Sequence, residues 1–182
     1  MNFNIEKSNE IFRKTLRIYG ENSAEALHWK NEKSQELRYD IFCEIGDLHN
    51  KSVLDMGAGL GDFYGYLQER DIYCDYLGVD VLQEFVEGAS KKFPNAKFEQ
   101  SDLLDYNPRH KFDYVICCGA LNVIIGDMEK LVRQSIKKLY MMSNIGCGFN
   151  LLSVNARFKD SNLYNYEPDK ILKYCMKLTP YI

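Results

Sequence analysis

The apolar positions of the first fifty residues recur at helical spacing. Over 4–19, Ile5, Ile11, Phe12, Leu16 and Ile18 mark one face of a helix, and Gly20 is placed to stop it. A second helix is predicted over 33–48, with Leu37, Ile41, Phe42 and Ile45 as its buried stripe. After Leu48 the texture changes. Short β-rich runs at 52–56, 75–81, 96–100, 112–118 and 148–154 alternate with helix-like segments at 62–70, 83–92 and 127–142. One more helix is expected over 168–177, where Pro168 suits the first turn because its missing N–H would be unpaired there anyway. This alternation predicts an α/β fold: a doubly wound, mostly parallel sheet with helices on both faces, preceded by an N-terminal helical extension.

Composition narrows the class. With 182 residues, 46% hydrophobic and 13% aromatic, the chain has the size and apolar content of one domain. Its expected division is a helical lid or extension over 1–50 and a core over 51–182. The net charge of -3, with 23 Lys and Arg against 26 Asp and Glu, leaves no basic tract to track phosphates, so strong nonspecific nucleic-acid binding is not expected. The start lacks the features of an export signal, and no apolar run approaches the roughly 18 residues of a membrane span. Six scattered cysteines form no C-x-x-C pair, which fits reduced thiols and a cytoplasmic location. His28, His49 and His110 lie in separate segments without metal-ligand spacing, so no metal is expected.

The sharpest chemical signal is Val53-Leu54-Asp55-Met56-Gly57-Ala58-Gly59-Leu60-Gly61, an apolar strand that carries an acid and runs into a glycine-rich turn opening a helix. Without Cβ atoms, Gly57 and Gly59 let the backbone turn sharply and admit a ligand against bare main chain, while Gly61 lets the helix start pack close to the sheet. Nicotinamide and flavin enzymes use G-x-G-x-x-G at such a turn. Here the pattern is G-x-G-x-G, and Asp62 stands where the dinucleotide fingerprint has its third glycine. Helix N-termini favour anions, so Asp55 and Asp62 around the turn point to a ligand whose nearest part is cationic or neutral rather than a diphosphate.

This stretch resembles the first motif of the class I S-adenosylmethionine-dependent methyltransferases, (apolar)-(apolar)-(D/E)-x-G-x-G-x-G. The similarity continues downstream. Asp80, closing Tyr76-Leu77-Gly78-Val79-Asp80 some 19 residues after Gly61, matches the acid that holds the ribose hydroxyls in that family. Ser101-Asp102-Leu103 follows the third strand, where the family places an acidic or polar side chain near the adenine amino group. Lys111 to Gly119 is similar to the fourth-strand motif that ends beside the reactive methyl. The resemblance implies a Rossmann-like core, S-adenosylmethionine as cofactor with S-adenosylhomocysteine as product, and a cofactor site of Asp55, Gly57, Ala58, Gly59, Gly61, Asp80, Val81, Asp102, Leu103 and Cys118. Plainer roles stay open: turn glycines, Asp80 as a helix cap, Asp102 as a loop cap, and Asp113 as a structural strand residue.

The acceptor is far less legible. Cys117 and Cys118 end the fourth strand, but the Pro-Cys context of cysteine-using cytosine methyltransferases is missing, as is the (N/D/S)-P-P-(Y/F/W) motif of amino-directed DNA methyltransferases. Asn122, just past that strand, either orients substrate or caps a loop. His28 sits in an aromatic stretch with Tyr19 and Trp29 that either covers the cofactor or packs on the first strand, and it is the candidate base should the acceptor need to lose a proton. The expectation is a methyltransferase acting on a small molecule. Its alternatives are a cofactor-binding regulatory or assembly subunit without turnover, an RNA or protein methyltransferase, and, last, a nicotinamide dehydrogenase. Five strands are counted where this family has seven, so the last two are expected to be lacking, and a free fifth-strand edge would suit a homodimer.

Overall fold

The computed structural model describes residues 3–157 and 159–182; residues 1 and 2 of the expected extension and 158 of the expected core lie outside these. Five strands, β1 (Ser52–Met56), β2 (Asp75–Asp80), β3 (Lys97–Gln100), β4 (Phe112–Cys117) and β5 (Ser143–Phe149), form one sheet in the order β3-β2-β1-β4-β5. Every neighbouring pair is parallel. The order reverses direction at β1, which puts the crevice between β1 and β4 at the carboxyl end of the sheet, the usual ligand position in open α/β folds. Around the sheet stand α1 (Ile5–Tyr19), α2 (Glu32–Cys43), α3 (Asp62–Glu69), α4 (Gln83–Lys92), α5 (Met128–Met142) and α6 (Pro168–Cys175).

Alternation along β1 assigns the two faces. Val53 packs with Tyr39 and Phe42 of α2 and Phe63, Tyr66 and Leu67 of α3. Leu54 and Met56 point the other way, to Leu139 and Met142 of α5. Both faces are thereby covered, as a parallel sheet requires.

Three expectations change. The buried face of α2 is Gln35, Tyr39 and Phe42, while Leu37 and Ile41 are 54% and 58% exposed. Aromatic packing decides this: Tyr39 lies 5.1 Å from Phe63 and 5.3 Å from Tyr66, ring centre to ring centre, and these large rings bury more apolar area than the aliphatic stripe would. The helix also stops at Cys43 rather than running to 48. On α1, Ile18 is 61% exposed, and the one buried residue is the polar Asn9.

The fifth strand lies at Ser143–Phe149, not 148–154. Helix α5 passes straight into it, with Ser143 as the C-cap and its hydroxyl donating to Tyr140 O at 2.9 Å. Within the strand, Gly148 is bare where α2 packs closest; a Cβ there would lie 3.0 Å from Phe42. Among the described residues no strand pairs with the outer edge of β5, where Ile145 is 57% exposed. No helix among them is long and apolar enough to cross a membrane.

Candidate functional site

A cleft of about 1100 Å³, counting its open mouth, lies at the carboxyl ends of β1, β2 and β4. Its floor is the glycine turn. Gly57 and Gly59 have φ of 81° and 55°, the left-handed region that side chains avoid. Neither faces open space: a Cβ at Gly57 would come within 2.5 Å of Ala120, and one at Gly59 within 2.9 Å of Leu27. The turn is thus a tight cradle closed on one side by the loop after β4 and on another by the short 3-10 turn Ala24–Leu27.

Two carboxylates stand on this floor. Asp55 is 2% exposed; its Oδ2 accepts from the Tyr76 hydroxyl at 2.7 Å, and its Oδ1 has no partner. Burial pushes its pKa from 3.8 up to about 7, opposed by the Tyr76 hydrogen bond and reinforced by Asp80 and Asp62. Asp80 ends β2. Its Oδ2 accepts from Gly59 N–H and its Oδ1 from Leu82 N–H, both at 2.9 Å, so it braces the cradle and caps the entry to α4 together. Burial raises its pKa despite those bonds. Each oxygen keeps a lone pair for a further donor.

The roof comes from the N-terminal segment. Ile5, Ser8, Asn9 and Phe12 of α1 line the cleft with Leu27 and Trp29. Helix α1 is tied down at its start and at its middle: Asn4 N–H donates to Ile125 O at 2.8 Å, and Arg13 pairs with Glu84 of α4 at 2.6 Å. Phe12 packs edge-on to Phe85 at 5.8 Å. Trp29 lies over the loop after β4, where a Cβ on Gly119 would meet its ring at 2.9 Å.

Of the residues expected at a cofactor site, Asp55, Gly57, Ala58, Gly59, Asp80, Val81, Asp102, Leu103 and Cys118 line this one cleft. Gly61 does not. It is a packing position, where a Cβ would meet Phe98 at 2.8 Å and Phe93 at 3.0 Å. Asp62 also faces elsewhere, its oxygens held by Lys92 at 2.7 Å and Gln35 at 3.0 Å, so the anionic character of the cleft rests on Asp55, Asp80 and Asp102. Asp102 lines the cleft while its Oδ1 accepts from Leu104 N–H at 2.8 Å. Burial pushes the Cys118 thiol up, which keeps it neutral and a poor nucleophile.

The two candidate catalytic residues lie outside the lining. Asn122 spends its carboxamide oxygen on Leu152 N–H at 2.9 Å, tying the loop after β4 to the one after β5. His28 caps the 3-10 turn with φ 63° and packs edge-on to Phe12 at 5.3 Å; that crowding lowers its pKa, against the pull of Asp160. Asp113 clips β4 to β1 by accepting from Ser52 N–H and Oγ. Sequence reasoning missed Tyr76, Tyr39, Asn9 and Ser135. A tyrosine two residues before Gly78, on the strand beside Asp55, was the available signal for Tyr76; the others carry no local signature.

The fold is Rossmann-like, and its cleft has an acidic, glycine-walled floor. A family described as a methyltransferase domain matches residues 53–140. Rv1506c of Mycobacterium tuberculosis, provisionally named a methyltransferase, is 28% identical over 136 residues, 69% of this chain and 79% of that protein. Trans-aconitate 2-methyltransferase of Sinorhizobium fredii is 26% identical over 86 residues, 47% of this chain but 33% of that enzyme. In shape the chain is similar to magnesium protoporphyrin IX methyltransferase of Synechocystis PCC 6803 with bound SAM (TM-score 0.62, 18% identity, 91% of this chain and 71% of that one). It is also similar to a DhpI complex with SAM and HEP (TM-score 0.70, 16% identity, 98% and 90%). The chain thus carries a match to a methyltransferase domain over 53–140 and shares the fold of proteins crystallised with S-adenosylmethionine.

The residues present fit that cofactor. A buried carboxylate with an unpartnered oxygen suits a ligand carrying ammonium and sulfonium charges, and Asp80 has lone pairs left for two hydroxyl donors.

Proposed function

We propose that this cleft holds S-adenosylmethionine and passes its methyl group to a small-molecule acceptor. Asp55 and the Gly57, Ala58 and Gly59 backbone hold the amino-acid part, Asp80 and Val81 the ribose, and Asp102 and Leu103 the adenine, with Cys118 beside the reacting end. The observation that carries the reading is Asp55, a carboxylate 2% exposed with a free oxygen at the base of the glycine cradle. When bound, the cofactor supplies a methyl group already activated by its positive sulfur.

The chain's own residues then act by position and by excluding water. Tyr76 donates to Asp55 and fixes the direction of its carboxylate. Phe12, Leu27, Trp29 and Phe85 wall the cleft with apolar surface, which strengthens the pull of Asp55 on a cation. No protein base is assigned, because methyl transfer from a sulfonium needs alignment more than proton removal. The segment before the core, roughly 3–50, serves as a lid, and a small acceptor fits a cleft roofed in this way better than a polymer does. The names of the trans-aconitate and protoporphyrin relatives support that class without fixing the compound. A cytoplasmic site of action, supported by six free thiols, and pairing of two copies along the free β5 edge complete the proposal.

Calorimetric titration with S-adenosylmethionine, S-adenosylhomocysteine and NADH tests it. Binding of the first two alone is expected, followed by methyl transfer to a small molecule in protein-free, nucleic-acid-free cell extract. Transfer only to RNA or protein would overturn the acceptor class, and absence of any transfer would favour a regulatory subunit.

A further inference from the structure

Two residues lining the cleft carry polar atoms that neither the glycine turn nor the Asp55–Asp80 floor accounts for. Asn9 of α1 is 8% exposed, and its Oδ1 is buried without a partner. Ser135 of α5 is 1% exposed, and its Oγ is likewise unpartnered. Both residues line the cleft. Polar atoms left dry in a cavity are costly unless a ligand satisfies them.

The surroundings say what that ligand part is. The same cleft is lined by Leu103 and Leu104 after β3 and by Ile5, Ile125 and Leu131, apolar surface that suits a heteroaromatic ring. Asn9 Oδ1 can only accept a hydrogen bond, and Ser135 can donate one. An exocyclic amine beside a ring nitrogen presents the matching donor and acceptor, as adenine does. Asp102, the residue first expected to read that amine, gives one carboxylate oxygen to Leu104 N–H and keeps the other, so Asn9 and Ser135 add to it rather than replace it.

We propose that Asn9 and Ser135 recognise the amino edge of the cofactor's adenine. This rests on the reading of the cleft as a S-adenosylmethionine site and adds to it a specificity device outside the glycine turn. Because Asn9 sits on α1, adenine recognition also fastens the lid: the base, α1 and α5 become one hydrogen-bonded unit.

The test compares S-adenosylhomocysteine with its inosine counterpart, in which a carbonyl oxygen replaces the amine. Binding is read by calorimetry and by emission of Trp29, the chain's single tryptophan, which lines the cleft. Wild type should favour the adenosine form by about tenfold or more. Asn9→Ala and Ser135→Ala should each weaken binding of the adenosine form by about fivefold or more, leave the inosine form within about twofold, and so erode the preference. Asn9→Ala should also leave amide protons of α1 less protected in the complex. Should Asn9→Ala not fold, Ser135→Ala, which removes a single oxygen, decides the matter alone. Equal losses for both nucleosides, or unchanged affinity in both variants, would overturn the assignment while the cofactor site stands. Failure of wild type to bind S-adenosylhomocysteine at all would overturn both.

Discussion

Replacing Asp55 with asparagine should make the ligand-free protein more stable at neutral and alkaline pH while weakening its hold on the cofactor. The carboxyl of an unfolded chain gives up its proton near 3.8, whereas burial holds that of Asp55 up to about 7. Between those values the unfolded state binds fewer protons than the folded state, so stability falls as pH rises. At about 1.36 kcal/mol per pH unit, the interval amounts to roughly 4 kcal/mol, of which about 3 kcal/mol falls between about pH 5 and pH 8. Asparagine keeps an oxygen for the Tyr76 hydroxyl and has no proton to lose. Denaturant unfolding of both proteins across that range should therefore give curves that diverge by about 3 kcal/mol, with the variant the more stable at the upper end. Asp80 also has a raised pKa and is present in both proteins, so the difference reads Asp55 together with its repulsion from Asp80. Parallel curves would refute the reasoning, since they would mean that Asp55 ionises no more reluctantly in the fold than outside it. Titration with S-adenosylmethionine supplies the second half. Wild-type affinity should rise as pH passes through about 7 and the carboxylate forms, and the variant's affinity should be lower and flat.

Tyr76→Phe removes the one hydrogen bond that favours the Asp55 carboxylate, so the rise in cofactor affinity should move to higher pH; an unmoved profile would show that the bond is not made. Asp80→Ala strips Gly59 and Leu82 N–H of their acceptor and should cost S-adenosylhomocysteine affinity at least about tenfold by calorimetry. Gly59→Val puts a branched side chain at φ 55° and against Leu27, and should lower the stability by about 2 kcal/mol or more while abolishing cofactor binding. Asn122→Ala leaves Leu152 N–H unpaired, so a stability loss of about 1–2 kcal/mol in denaturant with unchanged S-adenosylhomocysteine affinity is expected.

The order of elements and the cofactor class were written in the chain itself. Alternating β-rich and helix-like runs yield a parallel sheet because each crossover needs a helix's length of residues, and a glycine turn after an acid-bearing strand restricts its ligand by local sterics and charge. Such features act over a few neighbouring residues, so they survive in one dimension: β1, the left-handed Gly57 and Gly59, and Asp80 at the close of β2 are all of this kind. What the tertiary structure alone decided depends on partners distant in sequence. Gly61 belongs to packing because Phe93 and Phe98 come to rest on it, and Asp62 turns from the cleft because Lys92, thirty residues on, claims it. The fifth strand begins at Ser143 rather than at Gly148, and Gly148 is bare because Phe42 of α2, far earlier in the chain, packs on it. Leu37 and Ile41 lose the buried face of α2 to Tyr39 because the partners Phe63 and Tyr66 are aromatic, a fact that no helical periodicity carries. Asn9, polar within an amphipathic run, reads as a surface residue until α1 closes over the sheet and leaves its oxygen dry in the cleft.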